Sequence, residues 1–153
     1  MAPLTAPLKM PAEHADLVVE VLVFRSQGVL EGHTGTDADG LQNLTDLLLG
    51  EVTLIRELRE QRQATDRGRV KSVMKEHMDN MQHSVGYEHT ALLRVQAGDR
   101  DYFPGDMDQA EAEKYTRDRI KDDAREALLA REVFEAIRDD KDEVRSLALE
   151  VIA

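Results

Sequence analysis

Apolar residues recur every three or four positions along most of this chain of 153 residues. None of the four prolines, at positions 3, 7, 11 and 104, interrupts a long periodic segment. Because proline removes a backbone donor and clashes with the preceding turn, proline-free periodicity favours α-helix. The pattern predicts an all-α fold, in which an extended arm (1–10) precedes a single helical domain (11–153). Short loops favour an up-down four-helix-bundle-like arrangement, followed by a short C-terminal helix.

The first two helices are predicted from their boundary residues. The first helix is expected over residues 11–31, with Pro11 at its first position. Within it, the segment Leu17–Phe24 is rich in β-branched residues and fits a strand as well. We favour helix there, because no second strand-like run exists to pair with it. Asp39 and Gln42 form a capping box, which predicts that the second helix opens at this point.

The second half of the chain shows the same kinds of signal. Gly68 predicts a turn, and a third helix is expected over residues 69–97, ending at a glycine. The capping-box spacing D-x-x-E occurs at Asp108–Glu111, where it opens the fourth helix, and again at Asp140–Glu143. The second box predicts a short last helix, whose apolar positions are Val144, Leu147, Ala148 and Val151.

Charge and composition narrow the classes of partner. The chain has 31 acidic residues against 20 Lys and Arg, a formal net charge of −11. This balance argues against nucleic-acid binding, which depends on basic side chains at phosphates. Cysteine is absent, so disulfides and thiolate metal sites are excluded. The longest apolar run, Leu17–Phe24, falls short of the roughly 20 residues of a membrane span, and the N-terminus lacks signal-peptide features. We expect a cytoplasmic protein, or one inside a soluble assembly such as a shell or virion.

The stretch from Met74 to His89 contains three of the five histidines and is the clearest candidate for chemistry. On a helix, His77 and Glu88 fall within an apolar, methionine-rich face, where a charged group needs a partner. They are separated by about 16 Å along the helix axis and cannot bind the same ion. The simpler interpretation is that His77 hydrogen-bonds a neighbouring helix and that Glu88 pairs with an arginine.

The alternative interpretation is a metal site in the core of the bundle. Acidic residues also interrupt the apolar positions of the other predicted helices. One inward carboxylate per helix, with a histidine between them, is the arrangement by which a bundle holds two iron or manganese ions. The candidate ligands are Glu20, Glu51, His77, Glu88 and Glu126.

Two segments, LTDLLLGEVTLIREL and VKSVMKEHMDNMQHSVGYEH, resemble the helical hairpin of small bacterial ferritin-like proteins. The resemblance covers roughly residues 44–92 and implies a four-helix bundle with carboxylate and histidine ligands. By this likeness, Glu51 would be the carboxylate of the earlier helix. The Glu-x-x-His pair of that superfamily would fall at Asn80 to His83, where asparagine replaces the glutamate. A ferritin-like protein that binds iron or manganese is therefore one functional hypothesis.

The other hypothesis is a non-enzymatic structural or assembly subunit that self-associates or docks in a larger complex. It assigns no catalytic residue and no cofactor, and its partners are proteins, a homo-oligomer being the simplest case. Its main support is the arm, residues 1–10, which is apolar but belongs to no periodic element. Ordering ten residues costs at least about 1 kcal/mol each, more than burial of Leu4, Leu8 and Met10 returns. We therefore expect the arm to become ordered only against another subunit.

Overall fold

The computed structural model describes residues 6–32, 38–99 and 107–145. The predicted all-α fold is confirmed, because these residues form four helices and one very small sheet. The elements in chain order are β1 (Leu8–Lys9), α1 (Ala12–Gly32), α2 (Ala38–Gln61), β2 (Gln63–Ala64), α3 (Arg67–Gln96) and α4 (Gln109–Arg138).

The predictions for α1 and for the start of α4 are confirmed. The segment Leu17–Phe24 is helical throughout, so its β-branched residues line the helix face that enters the core. Asp108 caps α4, since its side chain accepts a hydrogen bond of 2.8 Å from the backbone N–H of Glu111. Both outcomes follow from local signals: an uninterrupted apolar face and a capping side chain at the expected spacing.

The starts of α2 and α3 differ from the prediction. α3 already includes Gly68, and its N-cap is Asp66, whose carboxylate accepts from the backbone N–H of Arg69 at 3.0 Å. Asp39 lies inside α2, and the Gln42 side chain donates to Asp46 at 2.9 Å. The predicted box at the start of α2 therefore does not define where the helix begins.

The helix predicted to begin at Asp140 is absent from the described part of the C-terminal segment. Asp140 follows α4 with a φ of 58°, and the backbone N–H of Lys141 donates to the Ala136 carbonyl at 2.8 Å. This left-handed residue ends a helix, whereas an N-cap needs an extended backbone. Glu143 instead forms a β-bridge with Lys9. The remainder of the predicted last helix, from residue 146, lies outside the described residues.

The described part of the predicted arm, residues 6–10, packs against its own chain. Leu8 is fully buried and Met10 is 5% exposed, and both belong to the main hydrophobic core. β1 pairs antiparallel with β2, and the N–H of Lys9 donates to the Asp142 carbonyl at 3.0 Å. These hydrogen bonds offset the entropy cost of ordering residues 6–10, so a second subunit is not needed to order them. Residues 6–10 therefore no longer support the assembly hypothesis, and residues 1–5 of the predicted arm lie outside the described residues.

The core is concentrated at one end of the bundle. Its residues come from the N-terminal half of α1, the C-terminal part of α2, the first turns of α3 and the last turns of α4. His14 near the start of α1 contacts Glu132 near the end of α4, and Glu20 and Glu126 meet further along, so these helices run antiparallel. Arg25, near the middle of α1, contacts Glu76 on α3. Beyond this core, α3 and α4 continue as an antiparallel pair, with Val95, Ala112 and Thr116 buried near the far end.

Each of the two longest helices spans 30 residues, or about 45 Å. None of the helices in the described ranges combines the length and apolarity needed to cross a membrane.

Candidate functional site

Three of the five predicted metal ligands line one pocket between α1, α3 and α4. Glu20 enters it from α1, His77 from α3 and Glu126 from α4, and the pocket has a volume of about 330 Å³. Asn80 and Met81 also line it. Three of the five predicted ligands, each from a different helix, therefore meet at one helix junction.

The electrostatics of this pocket disfavour ionisation of both His77 and Glu126. Burial lowers the pKa of His77, and the negative charges of Glu20 and Asp123 only partly oppose that effect. Burial also raises the pKa of Glu126, and Glu20 and Asp123 raise it further. The His77 Nε2 atom is buried without a hydrogen-bond partner among the described residues. The pocket thus holds a half-buried imidazole among carboxylates that repel one another.

Glu51 lies apart from the pocket, at the junction of α2 and α3. It is 5% exposed, and its Oε1 atom accepts a hydrogen bond of 2.6 Å from Nε of Arg69. A buried carboxylate paired with an arginine in this way has its charge neutralised. Glu51 therefore anchors α2 to α3 and does not face Glu20 or His77.

Glu88 lies further along the α3–α4 pair, where it accepts a hydrogen bond of 3.1 Å from Nε of Arg119. Burial raises the pKa of Glu88, and the neighbouring Asp123 carboxylate raises it further, while Arg119 lowers it. The simpler interpretation of the sequence is confirmed for Glu88, which pairs with an arginine. Its other part, a hydrogen bond from His77 to a neighbouring helix, is not found at the Nε2 atom of His77.

His14, which the sequence analysis did not select, is the most deeply buried histidine of the described chain. It is fully buried on α1, and its Nε2 atom lies 3.2 Å from Oε1 of Glu132 on α4. The sequence pattern indicates that His14 is buried, because it precedes Val18 and Leu22 by four and eight positions on one helix face. Its contact with α4 gives it a role in positioning α1.

The five predicted ligands do not fit a shared dinuclear site. Across residues 6–32, 38–99 and 107–145, no three His, Asp or Glu side chains are grouped closely enough to hold an ion. Two of the candidates, Glu51 and Glu88, each contact an arginine, whose charge opposes metal binding at the same carboxylate.

We therefore expect the purified protein to contain no stoichiometric iron or manganese and to show no oxidase activity. Asn80 adds to this expectation, because a neutral amide cannot bridge two metal ions as a carboxylate does. Inductively coupled plasma mass spectrometry of protein purified without chelator measures the content directly. Roughly two ions per chain, as in dinuclear bundle proteins, would contradict the expectation. Loss of that metal in Glu20→Ala and Glu126→Ala, but not in Glu51→Ala or Glu88→Ala, would then locate the site in the pocket.

Comparison with known proteins gives no match from which a role could be transferred to this chain. Membership of the ferritin-like superfamily consequently stays a hypothesis, supported by the sequence likeness and by a four-helix architecture that many unrelated proteins share. Models of protein families, curated proteins and solved structures were all compared with the chain, and none of them matches it.

Proposed function

We propose that this protein is a non-enzymatic helical subunit that self-associates, and that a second copy contacts the apolar face of α2. This face consists of Leu49 and Val52, which lie three residues apart on α2 and are 60% and 50% exposed. Large apolar side chains exposed in adjacent turns of one helix are typical of surfaces that bind another protein. The exposure of these two residues is the observation that carries the proposal.

The charge around this face favours a second copy of the chain as the partner. The net charge of −11 makes close approach of two copies unfavourable over most surfaces. Between positions 42 and 55, however, the only charged residues are Asp46 and Glu51. Glu51 is neutralised by Arg69, and Gly50 leaves the surface beside Leu49 open. Two α2 helices can therefore meet at this face with little charge repulsion.

The area of this face predicts a weak complex. Burying the exposed halves of two side chains contributes roughly 1.5–3 kcal/mol. Association costs at least about 4 kcal/mol in lost translational and rotational freedom. The apolar face must therefore be the centre of a larger interface, and the dimer should form only at raised protein concentration. Salt should strengthen it, because screening reduces the repulsion between two acidic chains.

Substituting Leu49 by Glu should abolish self-association. Leu49→Glu places a carboxylate at the most exposed apolar position of the face, where two copies would bring like charges together. We expect the wild-type chain to shift from monomer towards dimer with rising concentration and salt, and the variant to stay monomeric. Sedimentation velocity across a concentration series, at low and high salt, measures this.

Leu93→Glu is the matched control, because Leu93 is 54% exposed and lies on α3 instead of α2. It introduces the same charge and should leave association unchanged. Circular dichroism checks that both variants keep the helical signal of the wild type. A wild-type chain that is monomeric throughout, or equal dissociation by both variants, would refute the α2 interface.

A further inference from the structure

A groove with an acidic rim runs along α1 on a surface distinct from the apolar face of α2. It consists of two neighbouring pockets, the one described above and a second of about 380 Å³ between α1 and α4, which share the lining residues Glu20 and Glu126. α1 lines the groove from Glu13 to Arg25, a distance of about 18 Å along the helix axis. We call this feature the acidic groove.

The floor of the acidic groove is apolar. Leu17 and Val21 of α1, Val73 of α3 and Leu129 of α4 line it, and each of them is at most 9% exposed. Phe24 lies at one end of the groove and is 76% exposed. An aromatic ring exposed beside an apolar floor is the kind of side chain that dominates protein-binding surfaces.

The rim carries negative charge that no ion pair within the described ranges neutralises. Glu13, Asp16, Glu20 and Asp122 are exposed along it. Among the ion pairs of the described residues, none includes these four side chains or Glu126. Two arginines, Arg25 and Arg125, also line the groove, and Arg25 is already paired with Glu76.

Unpaired acids on one helix face repel one another. Glu13, Asp16 and Glu20 are spaced three and four residues apart, so they are neighbours on the surface of α1. Glu20 also contributes to the raised pKa of Glu126, after burial as the largest cause. A cationic ligand would relieve this repulsion along the whole groove.

We infer that the acidic groove binds a basic amphipathic segment of a partner protein. Apolar side chains of that segment would contact Phe24 and the floor, while its Lys and Arg side chains would pair with Glu13, Asp16 and Glu20. The apolar floor favours such a segment over a small cation, because an ion alone would leave Phe24 exposed. At 1.5 Å per residue, a helix of about 12 residues matches the length of the groove.

A direct test uses a fluorescein-labelled helical peptide of about 14 residues made of leucine and lysine, long enough to fill the groove. Fluorescence anisotropy should show binding at low salt that weakens as salt rises. The double variant Asp16→Asn with Glu20→Gln should weaken binding roughly fivefold, since it removes two rim charges. Phe24→Ser should weaken it roughly tenfold, as expected for an exposed aromatic contact.

The matched control is Glu60→Gln with Asp118→Asn, which changes the net charge equally at exposed positions outside the groove. It should bind the peptide as the wild type does. Equal weakening by both double variants would mean non-specific attraction to an acidic protein. A peptide with serine in place of leucine that binds equally well would show that the floor is not used. Either result, or absence of binding at low salt, overturns the inference.

This experiment is independent of the proposed self-association. Leu49→Glu lies on α2, outside the groove, and should bind the peptide with wild-type affinity while remaining monomeric. If the chain proves monomeric but binds the peptide through Phe24, only the self-association proposal fails. If it forms dimers through α2 but ignores the peptide, only the groove proposal fails.

Discussion

Replacing Leu8 by Ala is expected to lower the free energy of unfolding by about 2–5 kcal/mol, the range found for truncation of a large buried aliphatic side chain. Leu8 is fully buried in the hydrophobic core, although it lies in a two-residue strand near the N-terminus. Truncation would leave a cavity among the core residues that surround Leu8. Urea denaturation followed by circular dichroism measures the change.

Leu49→Ala provides the control, because it removes the same atoms from a position that is 60% exposed. Its effect on a monomeric sample should lie within about 0.5 kcal/mol of zero, as for most surface substitutions. Equal stability of Leu8→Ala and wild type would mean that residues 6–10 do not pack on their own chain in solution. The expectation of an arm held by another subunit would then regain its support.

Replacing Arg67 by Ala is expected to cost about 2–4 kcal/mol, because the guanidinium satisfies two backbone carbonyls at once. Its Nε and Nη2 atoms donate to the Ala6 carbonyl at 3.0 and 2.8 Å, and Nη1 donates to the Lys141 carbonyl at 2.6 Å. Arg67 itself is 8% exposed. The substitution removes the side chain that links α3 to the segment before β1 and to the segment after α4.

Arg67→Lys separates charge from geometry at this position. A lysine keeps the positive charge but cannot donate in the planar fork that reaches both carbonyls, so most of the loss should remain. Arg59→Ala, at an exposed position near the end of α2, should change the stability by less than about 0.5 kcal/mol. The same urea titration compares the three variants, and a stable Arg67→Ala protein would show that these hydrogen bonds contribute little.

The helices were predictable because their signals are local and repeated. Asp108 caps α4 as its spacing from Glu111 predicts, and the apolar face of α1 outweighed the strand preference of Leu17–Phe24. β1 was not predictable, because two residues carry no periodicity and its partner, β2, lies more than 50 positions away in the chain. The role of Asp140 was not predictable either, because a D-x-x-E spacing fits both a residue that begins a helix and a residue that ends one.

The candidate site was predicted only in part, for a related reason. Glu20, His77 and Glu126 meet because polar residues that interrupt apolar helix faces are brought to the helix junction. Glu51 and Glu88 do not join them, because each has an arginine partner, Arg69 or Arg119, from another helix. Which arginine reaches which carboxylate depends on the offset between packed helices, and the sequence pattern of a single helix does not contain that offset.

The contacts of Lys9 with Asp142 and Val144 have a consequence for biosynthesis. Residues near the N-terminus leave the ribosome first, but the backbone groups that pair with Lys9 follow only after α4 has been made. At about 5–20 residues per second, Leu8 and Met10 wait on the order of 10 s for those groups to emerge. The nascent chain therefore holds this apolar segment through β2 alone until α4 has been made, which makes it a target for chaperones that act on emerging polypeptides.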